Sequence, residues 1–157
     1  MLTHPLAAWS YLGSFAYTYN ATNATQPQAR TYCQSLGADL PSVLSAAENL
    51  FLFNFQPFDN AVKWLGGRRN RSITPVSHSA FTWADGLPWG FVAFQPGEPN
   101  DLQGAEGCVQ MGHRLSRTAV GFWNDAPCTN RNFILCKRPG DMFNLVYLSR
   151  ITHLRCA

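Results

Sequence analysis

The sequence predicts one α+β domain, with two short helices early in the chain and short strands separated by long loops after them. Three observations carry this expectation. Helix signals are confined to residues 26 to 55. The apolar pieces after Trp64 are only four or five residues long and lie among Gly, Pro, Asn and Ser. The 157 residues, 46% of them hydrophobic, suffice for one core that buries about two thirds of the unfolded surface.

Residues 9 to 20, with Trp9, Tyr11, Phe15, Tyr17 and Tyr19, are aromatic and partly alternating, which predicts one or two edge strands leading into a polar turn at the Asn-Ala-Thr repeats. From Gln26, the residues Ala29, Cys33 and Leu36 recur at helical spacing, and Gly37 stands where a helix stops. Ser45 followed by Glu48, and then by Leu50, Phe51 and Phe55, reads as a capping-box start to a second helix. Strands are expected at FVAF (91 to 94), CVQM (108 to 111), AVGFW (119 to 123) and FILC (133 to 136). Between about Gly66 and Gly107 little periodicity is visible, and so long a loop region suggests function. Residues 1–138 form the expected domain and 139–157 a tail of unassigned role.

Composition excludes several classes. The net charge of +3 is small and, apart from Arg68, Arg69 and Arg71, is spread along the chain, so no footprint for a nucleic-acid backbone exists. The apolar tail MFNLVYLSRITHLRCA is broken by Arg150, His153 and Arg155 and falls short of the ~20 apolar residues of a membrane span. Five cysteines and glycosylation sequons at Asn20, Asn23 and Asn70 favour an oxidising, secreted or extracellular setting. The start MLTHPLAAWSYLGS shows no secretory signal, and a secreted chain of this kind would begin after a removed leader.

Five cysteines allow at most two intrachain bridges, and several pairings stay open. Cys33 with Cys136 would close a loop of about 100 residues, contributing roughly 4 to 5 kcal/mol, and Cys108 with Cys128 a shorter loop contributing about 3 kcal/mol. Cys156 is then left for an interchain link between protomers or as an unpaired thiol.

The acidic and amide residues of the loop region cluster as Glu98-Pro-Asn100-Asp101, Glu106 and Trp123-Asn124-Asp125, around Cys108 and Cys128. All are hard oxygen donors, which suits calcium with its six to eight oxygen ligands. Zinc fits less well: His4, His78, His113 and His153 lie far apart and show no metal-ligand spacing.

With these elements in view, the sequence resembles the C-type lectin-like domain over roughly residues 4 to 138. The resemblance rests on Trp9-Ser-Tyr-Leu-Gly-Ser14, Ala29 through Leu44, Trp64-Leu-Gly-Gly67, Phe81-Thr-Trp83-Ala-Asp-Gly86, Pro96-Gly-Glu-Pro-Asn100, Cys108, Trp123-Asn-Asp125, Cys128 and Cys136. It implies two helices flanking short antiparallel sheets, a long calcium-binding loop region, and the disulfides Cys33 with Cys136 and Cys108 with Cys128. It places Glu98, Asn100, Glu106, Asn124 and Asp125 around one calcium ion, with a cis bond before Pro99 aiming both neighbouring side chains at the metal. Two adjacent sugar hydroxyls would then fill open coordination positions and hydrogen-bond the same five residues. The carboxylate of Glu98 can only accept, whereas Asn100 offers its NH2 as donor. In the family this order goes with the hydroxyl pair of mannose, glucose, N-acetylglucosamine and fucose, and the reverse order with galactose, so mannose-type glycans are the expected partners.

The departures from the family pattern are informative. His4 and Ala16 stand where the extra amino-terminal disulfide of long forms would be, and Thr74 and His78 where acidic ligands of an auxiliary calcium are expected, which leaves Asp101 with little company and implies one ion. Gln26 replaces a frequent tryptophan. Trp83, Trp89 and Trp123 could stack on a sugar, and Trp89, beside Pro88 and Gly90, is the best placed of them. The Arg68 to Arg71 run is either a site for sulfated or sialylated glycans or a solvated loop. The competing function is a protein- or ice-binding module, such as a toxin, antifreeze or receptor ligand. A hydrolase built on Glu98 and Glu106 is disfavoured, because metal-bound carboxylates make poor general acids and no nucleophile has an adjacent base. The chain is therefore not expected to be an enzyme.

Overall fold

The computed structural model describes residues 8–55, 61–112 and 121–140. Strands β1 (Ser10–Leu12) and β2 (Phe15–Ala24) form a hairpin, followed by helices α1 (Gln26–Ser35) and α2 (Ala46–Asn54). Then come strands β3 (Lys63–Arg69), β4 (Phe81–Trp83), β5 (Cys108–Met111), β6 (Trp123–Ala126) and β7 (Asn132–Pro139). The sheet order is β1-β2-β7-β3-β5-β6, with β4 on β3. The β3 to β7 pairing is parallel, and the others are antiparallel.

The expected polar turn after Tyr19 is instead strand. β2 runs on through the Asn-Ala-Thr repeats to Ala24 and stays paired to β7, with Asn20 opposite Ile134 and Ala24 opposite Asn132. The four steps on β2 against two on β7 form a bulge, which absorbs the residues that read as a turn. Ala24 is held there because its carbonyl accepts from the indole of fully buried Trp64 at 2.7 Å.

Both helices start where the sequence places them. α1 has a full capping box at Thr25 and Gln28, a signal the sequence reading passed over, and it stops before Gly37 at φ +68°. Ser45 caps α2 by accepting from the Glu48 amide at 3.1 Å. The reciprocal half of that box is missing because Glu48 is needed elsewhere. One oxygen accepts from the Leu44 amide at 2.8 Å and the other from the Tyr17 hydroxyl at 2.7 Å. The buried Lys137 ammonium lies 2.6 Å from that second oxygen and donates to the Ser42 carbonyl.

Gly66 and Gly67 sit inside β3. A Cβ on Gly66 would lie 2.8 Å from the Leu40 carbonyl oxygen, and one on Gly67 would lie 2.5 Å from Val109. Close packing of neighbouring segments therefore selects glycine here. The FVAF segment does not form a strand. A single bridge joins Phe94 to Trp123, and the Phe91 and Phe94 rings pack edge-on to that indole at 5.8 and 5.7 Å. The strand expected at 119 to 123 lies at Trp123–Ala126, while 113–120 lie outside the described residues. Both implied disulfides are present, Cys33–Cys136 tying α1 to β7 and Cys108–Cys128 tying β5 to the turn after β6.

Candidate functional site

Strands β5 and β6 form the floor of the site. Their register sets Val109 opposite Asp125 and Gln110 opposite Asn124, so the Trp123-Asn-Asp125 element is fixed as backbone ladder. Trp123 anchors it: fully buried, it donates its indole N–H to Asn49 Oδ1 on α2 at 2.8 Å. The Gln95 to Asn100 segment crosses above, with a cis bond between Glu98 and Pro99 as the resemblance implies.

Asp125 is wholly buried, and its two oxygens accept from the backbone amides of Asn100 at 3.0 Å and Asp101 at 2.9 Å. Glu106, 6% exposed, accepts from the Leu102 amide at 2.8 Å. Asn100 Nδ2 donates to Glu98 Oε1 at 2.9 Å. One carboxylate oxygen from each of Glu98, Glu106 and Asp125 lies within 4.8 Å of the others. Asn124 precedes Asp125 on β6 and is 8% exposed. Carboxylates from three separated segments thus converge, with Asn100 bonded to two of them.

Such convergence is unfavourable without a positive partner. Burial, then the adjoining Asp125 carboxylate, pushes Glu98 up to about 7, the Glu106 charge adding to this. Burial raises Glu106 as well, against the Leu102 amide that lowers it. Glu98 Oε2 is buried and has no hydrogen-bond partner among the described residues. The donor set is all oxygen, the set suited to a hard divalent cation.

Trp89 is not a free stacking platform: its ring lies 4.2 Å from Trp83 and 5.8 Å from Phe81. Aromatic packing against β4 and β6 claims it. The arginine run is no single basic patch, since Arg68 is exposed while the Arg69 side chain, 4% exposed, pairs with Asp101. Asp101 therefore has close company, and Arg69 holds it below the usual carboxylate range. Alternation along β3 offered the signal for this inward arginine. Gln26 does not disturb packing, because its amide donates to the Leu65 and Gly67 carbonyls, both at 3.1 Å.

His78 stacks on Phe94 at 5.3 Å, and Thr74 precedes a second cis proline. Asn23 and Asn70 are exposed, and Asn20 is half-buried. His4, His113, His153 and Cys156 lie outside the described residues. No helix among the described residues is long and apolar enough to cross a membrane.

The arrangement of two helices, a bulged hairpin closed by the last strand, two disulfides and an acidic loop cluster defines a C-type lectin-like domain. The chain belongs to that family: the Lectin C-type domain model matches residues 22–138. Among curated relatives, C-type lectin domain family 4 member G of Mus musculus is 35% identical over 83% of this chain and 42% of its own length. The Type-2 ice-structuring protein of Hemitripterus americanus is 32% identical over 83% of this chain and 72% of its own. The chain thus spans about two fifths of the length of the mouse lectin relative. Among solved structures, the cow C-type carbohydrate-recognition domain of CD23, in the presence of a GlcNAc2Man3 oligosaccharide, is 31% identical. Its TM-score is 0.70, with 88% of this chain and 98% of that one covered. A calcium-independent type II antifreeze protein shares the fold at TM-score 0.71 and 24% identity. Domains of this family are in general binding modules rather than enzymes.

Proposed function

We propose that the chain is a calcium-dependent lectin whose one ion is held by Glu98, Asn100, Glu106, Asn124 and Asp125, and which takes the vicinal hydroxyls of mannose-type glycans. The observation that carries this reading is the convergence of three carboxylates within 4.8 Å, one with a buried oxygen that has no hydrogen-bond partner among the described residues. A calcium ion there would neutralise the cluster and offer open coordination positions to two hydroxyls. The chain's own residues supply direction: Glu98 accepts a hydrogen bond from one sugar hydroxyl, and the Asn100 amide donates one to the other. The relative crystallised with a mannose-containing oligosaccharide supports the ligand class. Residues 1–138 would form this recognition domain, in a secreted or extracellular protein that can carry glycans at Asn20, Asn23 and Asn70. Residues 139–157 are a tail through which Cys156 could link protomers, raising avidity for a shallow site.

The ice-structuring relative makes an ice- or protein-binding module the competing reading. Retention on immobilised mannose separates the two. A lectin of this design is retained in calcium and released by a chelator. Absence of retention, or retention indifferent to the chelator, overturns the proposal.

A further inference from the structure

We infer that Arg69 is a positioning residue: through Asp101, its guanidinium holds the 101–106 loop in the shape that sets the affinity of the candidate calcium site. This rests on the calcium reading above. Arg69 lies at the end of β3 with a 4% exposed side chain, and its Nη1 contacts Asp101 Oδ2. A guanidinium keeps its charge at any accessible pH, so it is a permanent countercharge.

Asp101 occupies the left-handed region at φ 49°, and Gln103 follows at φ 57°. Residues with a Cβ adopt this conformation uncommonly, aspartate more readily than glutamine, so contacts around the 101–106 loop must hold the pair in it. Four contacts do so. The Asp101 amide donates to Asp125 Oδ2 at 2.9 Å, and Asp101 Oδ1 accepts from the Glu106 amide at 3.2 Å. Arg71 Nη1 donates to the Gly104 carbonyl at 2.9 Å, and the Arg69 amide donates to the Gly107 carbonyl at 3.0 Å. Asp101 is therefore bonded to Asp125 and to the backbone of Glu106, two members of the converging set. Arg69 also decides how many carboxylates face the ion. With its charge answered by the guanidinium, Asp101 braces the loop instead of adding a fourth negative group.

The test compares Arg69→Met, Asp101→Asn, the double variant and Arg69→Lys. Calcium alone is titrated, followed by calorimetry and tryptophan fluorescence, and amide hydrogen exchange is read on the calcium-free proteins. Each single variant is expected to raise half-saturating calcium by about 10- to 100-fold, as is usual when a group supporting metal ligands is lost. The double variant should be no weaker than the worse single one, since both cut the same link. Arg69→Lys should recover part of the loss, and sugar affinity at saturating calcium should stay near that of the parent. Exchange should quicken at residues 101–106 and stay slow at 123–126. A loss of stability with unchanged calcium titration overturns the inference, as does tighter calcium binding by Arg69→Met, which would make Asp101 an ion ligand. A parent protein that binds no calcium overturns the lectin reading instead. The brace is then judged by exchange alone, and unchanged rates at 101–106 in Arg69→Met and Asp101→Asn overturn it.

Discussion

Replacing Glu98 by glutamine should stabilise the calcium-free protein above neutral pH while damaging calcium binding. Glu98 is raised from 4.5 to about 7 by burial and by Asp125, so the folded protein binds its proton more tightly than the unfolded chain does. A carboxylate raised in this way contributes stability that is fully present below about 4.5 and lost as pH rises to about 7. The full shift would correspond to about 3.4 kcal/mol, at 1.36 kcal/mol for each pH unit. Glu98 is only part-buried, and solvent screening reduces this to about 1 to 2 kcal/mol. At about 2 to 4 °C per kcal/mol for a domain of this size, Glu98→Gln should melt roughly 2 to 8 °C above the parent at pH 8 in chelator. At pH 4, where the parent carboxyl is protonated, the two should coincide. Excess calcium should reverse the order at pH 8, since the ion stabilises the form that binds it. Thermal melts followed by tryptophan fluorescence at both pH values suffice. A variant that melts at or below the parent in chelator at pH 8, or gains equally at pH 4, refutes the claim that the gathered charge destabilises the empty site.

Exchanging the hydroxyl partners with Glu98→Gln and Asn100→Asp together should move preference from mannose towards galactose on a glycan array in calcium, and unchanged selectivity would count against the donor and acceptor argument. Removing the Cys108–Cys128 bridge with paired alanines should cost about 3 kcal/mol for its 20-residue separation. The melting point should then fall by about 6 to 12 °C, and half-saturating calcium should rise, because the bridge ties β5 to the turn after β6; unaltered melting would reject this. Lys63, 2% exposed and donating to the Leu52 carbonyl at 2.7 Å, is lowered to about 8 by burial. The folded state thus binds that proton less well, and parent stability should rise from pH 8 towards pH 10 relative to Lys63→Met; parallel curves over that window would show that the lysine does not titrate there.

What the sequence disclosed and what it hid divide along a physical line. Capped helices and the Glu-Pro-Asn and Trp-Asn-Asp elements are local signals, and each appears near its expected place, while the cysteine pairs are the ones the family resemblance implies. The strand expected at FVAF and the turn expected at the Asn-Ala-Thr repeats both failed where non-local contacts decide conformation. Phe91 and Phe94 put their rings on Trp123 in place of a backbone ladder, and Asn20 to Ala24 are held in β2 by β7 and by the Trp64 indole. Trp89 failed for the same reason, since flanking Pro88 and Gly90 suggest a loop while the partners that bury its ring come from β4 and β6. The miss at Arg69 bears most on function. A short-range reading sees three arginines around a sequon and infers solvent, but strand alternation sends Arg68 outward and Arg69 inward, to Asp101 more than thirty positions later. The acidic and amide residue types of the candidate site were therefore legible one segment at a time. Their support was not, because it comes from a strand and a loop that meet only in the folded chain. Calcium affinity should accordingly be more sensitive to Arg69 than its place in a basic run suggests.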